Sequence, residues 1–163
     1  MAEIRFYHLT RSRVEDALPA LLGKTLERGW RAVVMARSDE RLEALDSQLW
    51  TFNDRSFLPH GTSKDGHADL QPVCLTVEDE TPNGATVLFL TDGAESAAAA
   101  NFDLTCLLFD GADEESVKAA RLKWKGYRDA DIPLTYWQQN ESGGWEKQAE
   151  HKPDAETSDQ KPA

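Results

Sequence analysis

Four cationic side chains recur at helical spacing near the end of the sequence. They follow one another at steps of three, four and three residues, as Lys118, Arg121, Lys125 and Arg128. At about 100° per residue, these steps place all four on one strip of a helix. We call these four residues the basic strip. Apolar and aromatic residues occupy the adjoining sector of the same helix, namely Val117, Ala120, Trp124 and Tyr127.

The border between the basic strip and this apolar sector suits a ligand that carries both acidic and apolar groups. Lys and Arg side chains pair with carboxylates, and a pocket beside a partly buried Trp124 accepts an apolar group. A plainer interpretation is an amphipathic helix whose solvated cations complement the negative C-terminal end of the helix. On the pattern alone, the plainer interpretation is the favoured one.

A short apolar segment, Phe57-Leu58-Pro59-His60, interrupts a long polar stretch between residues 51 and 71. A connection of this length in a compact domain is usually functional or mobile. The Phe-Leu pair is either a docking site for a partner or the anchor that pins the loop to the core. The sequence leaves both interpretations open.

The triplet Gly23-Lys24-Thr25 resembles the end of a phosphate-binding loop. Such a loop needs another glycine five positions before Gly23, where its bare backbone N–H groups wrap the phosphates, and the sequence has Leu18 there. The triplet also falls inside a predicted amphipathic helix. We therefore interpret it as an ordinary helix surface.

No other residues form a recognisable catalytic or metal-binding pattern. His60, His67 and Cys74 are separated by steps of seven residues, which do not match the ligand spacing of a structural zinc site. Neither a Gly-x-Ser-x-Gly turn nor a cysteine in an electropositive setting is visible. No catalytic constellation is therefore visible in the sequence, and we expect no metal and no other cofactor.

Strands and helices alternate along most of the chain. Two unbroken apolar runs, Thr86–Leu90 and Leu104–Phe109, are typical of strands buried on both faces of a parallel sheet. An α/β fold with a central mixed, mostly parallel sheet follows from this order. The remaining predicted elements are strands at Glu3–Leu9, Arg31–Ala36 and Val73–Val77, helices at Val14–Glu27, from Ser38 and at Asp113–Arg128, and a short helix near Ala97–Ala100.

Composition limits the classes of partner and the compartment. The 163 residues carry a net charge of -11, which disfavours general binding to duplex DNA. Cys74 and Cys106 lie in apolar stretches, as expected of reduced thiols in the cytoplasm. Neither a secretory signal nor a membrane-spanning run is present, so we expect no membrane partner.

We predict one α/β domain over residues 1–138, followed by an acidic tail over residues 139–163. The tail carries six acidic residues against three lysines and few aliphatic side chains. Such a composition buries too little apolar surface to offset the entropy of ordering, so we predict that the tail is disordered.

Four short blocks, in order along the chain, resemble the chi subunit family of bacterial DNA polymerase III holoenzyme. The resemblance covers Glu3 to Gln138. The blocks are Phe6-Tyr7-His8-Leu9, Leu49-Trp50, Ser56-Phe57-Leu58-Pro59-His60 and Arg121-x-x-Trp124-Lys125-x-Tyr127-Arg128. The resemblance implies a three-layer, Rossmann-like α/β fold without a phosphate-binding loop, in a non-catalytic accessory subunit of the clamp-loader assembly.

Members of that family bind the acidic C-terminal tail of single-stranded DNA-binding protein, so their contact with DNA is mainly indirect. By resemblance, this tail site comprises Arg121, Trp124, Lys125 and Arg128, to which the helical pattern adds Lys118 and Val117. Trp124 stands where the family commonly has tyrosine, and Asp131 where a glycine often follows the helix. The resemblance also makes Phe57, with Leu58, Pro59 and His60, a docking site for the psi subunit or a competing helicase.

Two alternatives from other classes remain. One is a nucleotide- or phosphate-binding α/β enzyme whose site lies at the carboxyl ends of the strands, near Thr91-Asp92-Gly93. The other is direct DNA binding through the basic strip, which is weaker because the strip is short and the rest of the chain is acidic.

Overall fold

The computed structural model describes residues 3–10, 13–51, 60–62, 72–81, 83–91, 93–96, 98–142 and 144–152. Within them lie eight strands, three α-helices and one 3-10 turn at Ala99–Asn101. The strands are β1 (Glu3–Leu9), β2 (Ala32–Met35), β3 (His60–Thr62), β4 (Val73–Thr76), β5 (Val87–Thr91), β6 (Leu104–Asp110), β7 (Leu134–Gln139) and β8 (Trp145–His151). The helices are α1 (Val14–Glu27), α2 (Asp39–Thr51) and α3 (Glu114–Asp129).

The eight strands form one sheet in the order β3-β4-β2-β5-β6-β1-β7-β8. All neighbouring strands are parallel except β7 and β8, which are antiparallel. Strand β1 lies inside the sheet, where Phe6 is in register with Leu107 of β6 and Tyr136 of β7. The prediction of a mixed, mostly parallel sheet is therefore confirmed.

Helices cover both faces of the sheet, as a three-layer fold requires. Alternation along β1 directs Tyr7 and Leu9 into a core under α1 and α2, and Ile4 and Phe6 into a second core under α3. The predicted three-layer arrangement is confirmed. The Gly23-Lys24-Thr25 triplet lies within α1, where the Thr25 hydroxyl donates to the carbonyl oxygen of Leu21 at 3.0 Å.

Local signals in the sequence set the ends of the helices. Ser38 caps α2 by accepting the N–H of Arg41 at 3.3 Å. Asp113 caps α3 by accepting the N–H of Glu115, also at 3.3 Å. Gly29, with a φ of +79°, follows the end of α1 in the left-handed conformation that glycine adopts without strain.

The prediction of a disordered tail from residue 139 is wrong for the residues that the structure describes. Strand β7 continues to Gln139, and β8 pairs with it after a turn in which the Asn140 side chain accepts the N–H groups of Ser142 and Gly144 at 3.0 and 2.9 Å. Trp145 supplies the apolar anchor, since its ring meets Tyr7 edge-on at 4.9 Å. Composition alone misses a strand held by backbone pairing and one aromatic contact. Residues 153–163 lie outside the described part of the chain.

Both cysteines, Cys74 and Cys106, are free and buried. Burial raises the pKa of the Cys106 thiol to about 12. Among the described residues, no helix is both long and apolar enough to span a bilayer.

Candidate functional site

The basic strip lies on the exposed side of α3, as its spacing predicts. Its four members, Lys118, Arg121, Lys125 and Arg128, are all exposed. Arg128 Nη2 is 3.8 Å from the Asp129 carboxylate, and both side chains are about half exposed. Such a pair contributes little to stability, because water screens it. All four cations are therefore accessible to a ligand.

The apolar border of the strip is fixed by aromatic packing against the sheet. The Trp124 ring is half-buried and meets Phe6 of β1 edge-on, with ring centroids 5.4 Å apart, and Tyr136 of β7 at 5.8 Å. Val117 is also half-buried. Edge-to-face pairs of this kind hold rings in a defined orientation. The exposed part of the Trp124 ring therefore lies in a fixed orientation beside the cations.

His8 and Tyr136 lie side by side on the face of the sheet that α3 covers, and they form a wall that the sequence alone does not predict. The Tyr136 hydroxyl and His8 Nδ1 are 2.7 Å apart, within hydrogen-bond distance. The His8 ring also packs against Phe109 at 5.0 Å. The available signal is the alternation of β1, which puts His8 on the same face as Phe6. Tyr136 requires the β1–β7 register, which no local pattern shows.

Gly111, just after β6, leaves room for the His8 ring. A Cβ atom at this position would lie 2.2 Å from His8 Nε2 and 2.6 Å from the Leu9 carbonyl oxygen. The Gly111 N–H also donates to that carbonyl at 2.7 Å. The observed position of the His8 imidazole therefore requires glycine at position 111.

Arg121 acts electrostatically on this wall. Burial lowers the pKa of His8, the positive charge of Arg121 lowers it further, and the Asp110 carboxylate opposes both. Burial raises the pKa of Tyr136, and Arg121 opposes that rise. The lowered pKa favours the neutral form of His8, and the neighbourhood of this ring carries the positive potential of Arg121. We call the basic strip with Val117, Trp124, Tyr136 and His8 the α3–β7 surface.

The second predicted docking site lies mostly outside the described residues. Phe57, Leu58 and Pro59 are not described, and of His60 only the backbone is, as the first residue of β3. Strand β3 is six positions from β7 in the sheet, about 29 Å at the usual strand spacing. A partner at His60 and a ligand on the α3–β7 surface would therefore occupy separate places.

A cavity of about 140 Å³ lies between α3, β6 and the segments that follow β2 and β5, where the alternative nucleotide site is expected. Of the predicted triplet, Asp92 lies outside the described residues, while Gly93 lines the cavity. Arg37 and Lys123 line it, but so do Asp113 and Glu115. Burial lowers the pKa of Lys123. In the described parts of the chain, no three His, Cys, Asp or Glu side chains are grouped to hold a metal.

Comparison with known proteins identifies the family. The sequence model of the family described as DNA polymerase III chi subunit, HolC, matches residues 1–135. A Rickettsia prowazekii protein described as probable DNA polymerase III subunit chi is 24% identical over 154 residues, which cover 90% of this chain and 92% of that protein. The resemblance to this family is thereby confirmed, and the chain belongs to the DNA polymerase III chi subunit family.

Proposed function

We propose that the α3–β7 surface binds the acidic C-terminal tail of single-stranded DNA-binding protein, and so links the clamp loader to coated template. One observation carries the proposal. In a chain with a net charge of -11, four exposed cations lie on one helix beside a fixed aromatic border. The protein acts in this proposal as a non-catalytic, cytoplasmic subunit in DNA replication, and its contact with DNA through this surface is indirect.

The arrangement divides the ligand between two kinds of contact. Arg121, whose charge acts on His8 and Tyr136, is placed to pair with a carboxylate at the wall. Lys118, Lys125 and Arg128 attract the remaining acidic groups along the helix. The half-buried Trp124 and Tyr136 rings offer the contact for an apolar terminal residue.

The aromatic contact is expected to supply more affinity than any single cation. Exposed ion pairs are worth about 0–1 kcal/mol each, whereas truncating an aromatic anchor at an interface often costs about 2 kcal/mol or more. The cations chiefly raise the association rate and make binding dependent on salt.

The segment from Phe57 to His60 is proposed as a second docking site, for the psi subunit or a helicase. This part of the proposal is supported by the resemblance and by the family membership. The position of β3 at the far edge from β7 allows both partners to bind together.

The test is a titration of a labelled peptide, copied from the C-terminus of the organism's single-stranded DNA-binding protein, followed by fluorescence anisotropy. We expect micromolar affinity that falls with salt. Arg121→Ala and Lys125→Ala should each weaken binding about two- to fivefold and reduce the salt dependence, and Trp124→Ala should weaken it about tenfold or more. Lys24→Ala, on the opposite face of the sheet, is the matched control and should leave the affinity unchanged.

Unchanged affinity in both cation variants would refute this assignment of the site. Absence of binding by the unaltered protein would refute the proposed function itself. Circular dichroism of each variant shows whether the fold is retained, which separates a lost contact from a lost structure.

A further inference from the structure

A second basic and aromatic surface lies where α1 ends and β2 begins. Trp30 is one of two large apolar side chains that are exposed among the described residues, with 38% of its surface accessible. The Arg28 guanidinium lies over its ring, 5.1 Å from the centroid. Lys24 precedes Arg28 by one helical turn. We call Lys24, Arg28 and Trp30, together with Arg5 of β1, the Trp30 surface.

A small cleft beneath α1 is lined by positively charged side chains of this surface. The cleft has a volume of about 70 Å³, and its charged lining residues are Arg5, Lys24 and Arg28, with no carboxylate among them. Arg5 is partly neutralised, since its Nε lies 3.1 Å from the Glu3 carboxylate. Within the described part of the chain, neither Lys24 nor Arg28 has a carboxylate at ion-pair distance. Two unpaired cations one turn apart thus adjoin an exposed indole.

The helix dipole explains only part of this arrangement. Cations near the C-terminal end of α1 interact favourably with its negative pole. Two like charges at i and i+4 repel each other, however, and the accessible 38% of Trp30 loses the benefit of burial. An external anion with a flat apolar group would neutralise the cations and cover the ring together.

We propose that the Trp30 surface binds a short stretch of single-stranded DNA. Bases stack on exposed aromatic rings regardless of sequence, and neighbouring Lys and Arg side chains contact the phosphates. The cleft is small, about 70 Å³, so the apolar ligand group lies on the ring rather than inside the cleft. A flat base meets that requirement better than the side chain of an acidic peptide. The net charge of -11 keeps the contact weak and local.

The Trp30 surface and the α3–β7 surface lie on opposite faces of the sheet. Helix α1 packs on the face that contains Tyr7, and α3 on the face that contains Phe6. A protein ligand along α3 therefore leaves Trp30 accessible. The subunit would hold single-stranded DNA directly at the Trp30 surface, whether or not α3 also binds the proposed tail.

The test is a titration of fluorescein-labelled oligothymidylate, about 8 nucleotides long, into the full chain at low and physiological salt. Trp30→Ala should weaken binding about fivefold or more, and Trp30→Phe should retain most of the affinity because it keeps an aromatic face. Lys24→Ala with Arg28→Ala should lower the slope of log affinity against log salt by about 1.4, since each phosphate contact on a single strand contributes about 0.7. Arg121→Ala with Lys125→Ala is the matched control and should bind as the unaltered protein does.

Four results would overturn the proposal. Three come from the titration itself: no binding at low salt, equal affinity of the Trp30→Ala variant, or loss of binding in the α3 control, which would move the DNA site to the basic strip. The fourth is displacement of the oligonucleotide by a polyglutamate peptide with equal sensitivity to Trp30→Ala, which would favour an acidic peptide as the occupant. Folding of Trp30→Ala is checked by its thermal unfolding. Because this assay contains no single-stranded DNA-binding protein, its failure and the failure of the tail proposal are distinguishable.

Discussion

Replacing Gly111 by alanine tests the packing that positions the wall of the α3–β7 surface. The new Cβ would lie 2.2 Å from His8 Nε2, 2.3 Å from His8 Cδ2 and 2.6 Å from the Leu9 carbonyl oxygen. The His8 ring must therefore move, and the backbone at 111, which is tied to the Leu9 carbonyl by a 2.7 Å hydrogen bond, must shift as well. Displacement of the His8 ring breaks the hydrogen bond with Tyr136 and the contact with Phe109.

The magnitude follows from two costs. Accommodating an added methyl group in a packed site typically lowers the free energy of unfolding by about 1–3 kcal/mol. A lost hydrogen bond typically lowers it by about 0.5–1.5 kcal/mol. We therefore expect Gly111→Ala to lower the free energy of unfolding by about 2–4 kcal/mol, measured by urea denaturation. Gly126→Ala is the matched control, because nothing lies within 4 Å of its added Cβ on the exposed side of α3. It should be neutral or stabilise by up to about 1 kcal/mol.

A double-mutant cycle with His8→Ala identifies the cause. If the imidazole is the obstacle, removing it relieves most of the clash, and Gly111→Ala costs less in that background by about 1–2 kcal/mol. The clash with the Leu9 carbonyl remains, so the rescue is partial. Additive effects, or a single Gly111→Ala variant as stable as the unaltered protein, would refute the reasoning.

Three further predictions concern stability and reactivity. The folded pKa of His8 lies below its unfolded value of about 6.5, so the unfolded chain binds more protons near pH 6. The free energy of unfolding should therefore fall as the pH drops from about 6.5 through the folded pKa. The variant His8→Gln should flatten this part of the pH profile. Asp131 has a φ of +59° and pairs with His151 at 3.1 Å. Asp131→Ala should lower the free energy of unfolding, measured by urea denaturation, by about 1–2 kcal/mol, because alanine is strained at this φ. Asp131→Gly should stay within about 0.5 kcal/mol of the unaltered protein, because glycine accepts this φ without strain and the exposed pair is weak. Cys106, buried and with a pKa of about 12, should react with a thiol reagent such as Ellman's reagent only in denaturant, as should the buried Cys74.

The sequence is most informative where one element contains the whole pattern. The bounds of α1 and of β1 are predicted to the residue, because apolar spacing and a following Gly29 are local signals. The basic strip is predicted for the same reason, since all its members share one helix. Its function remains a proposal, because solvated cations on a plain helix have the same spacing.

The elements that the sequence does not reveal depend on contacts with distant strands and helices of the same chain. Strand β8 reads Trp-Glu-Lys-Gln-Ala-Glu-His and is exposed over most of its length, so its stability comes from pairing with β7 rather than from an apolar face. The position of Tyr136 likewise depends on the β1–β7 register. The exposure of the Trp30 ring depends on how α1 packs against the sheet. Strand β3, three residues long, is too short for a periodic signal.

The distribution of charge on α3 agrees with the proposed extended acidic ligand and disfavours a nucleotide at the N-terminus of this helix. In doubly wound folds the N-terminus of a helix receives the phosphates. Here the first turn of α3 carries Glu114 and Glu115, and the Asp113 carboxylate already accepts one of the free N–H groups. The cations lie along the side of the helix instead, and Lys118 and Arg128 are about 15 Å apart at 1.5 Å per residue. A compact phosphate cannot contact cations spread over that length, whereas several carboxylates along a peptide can.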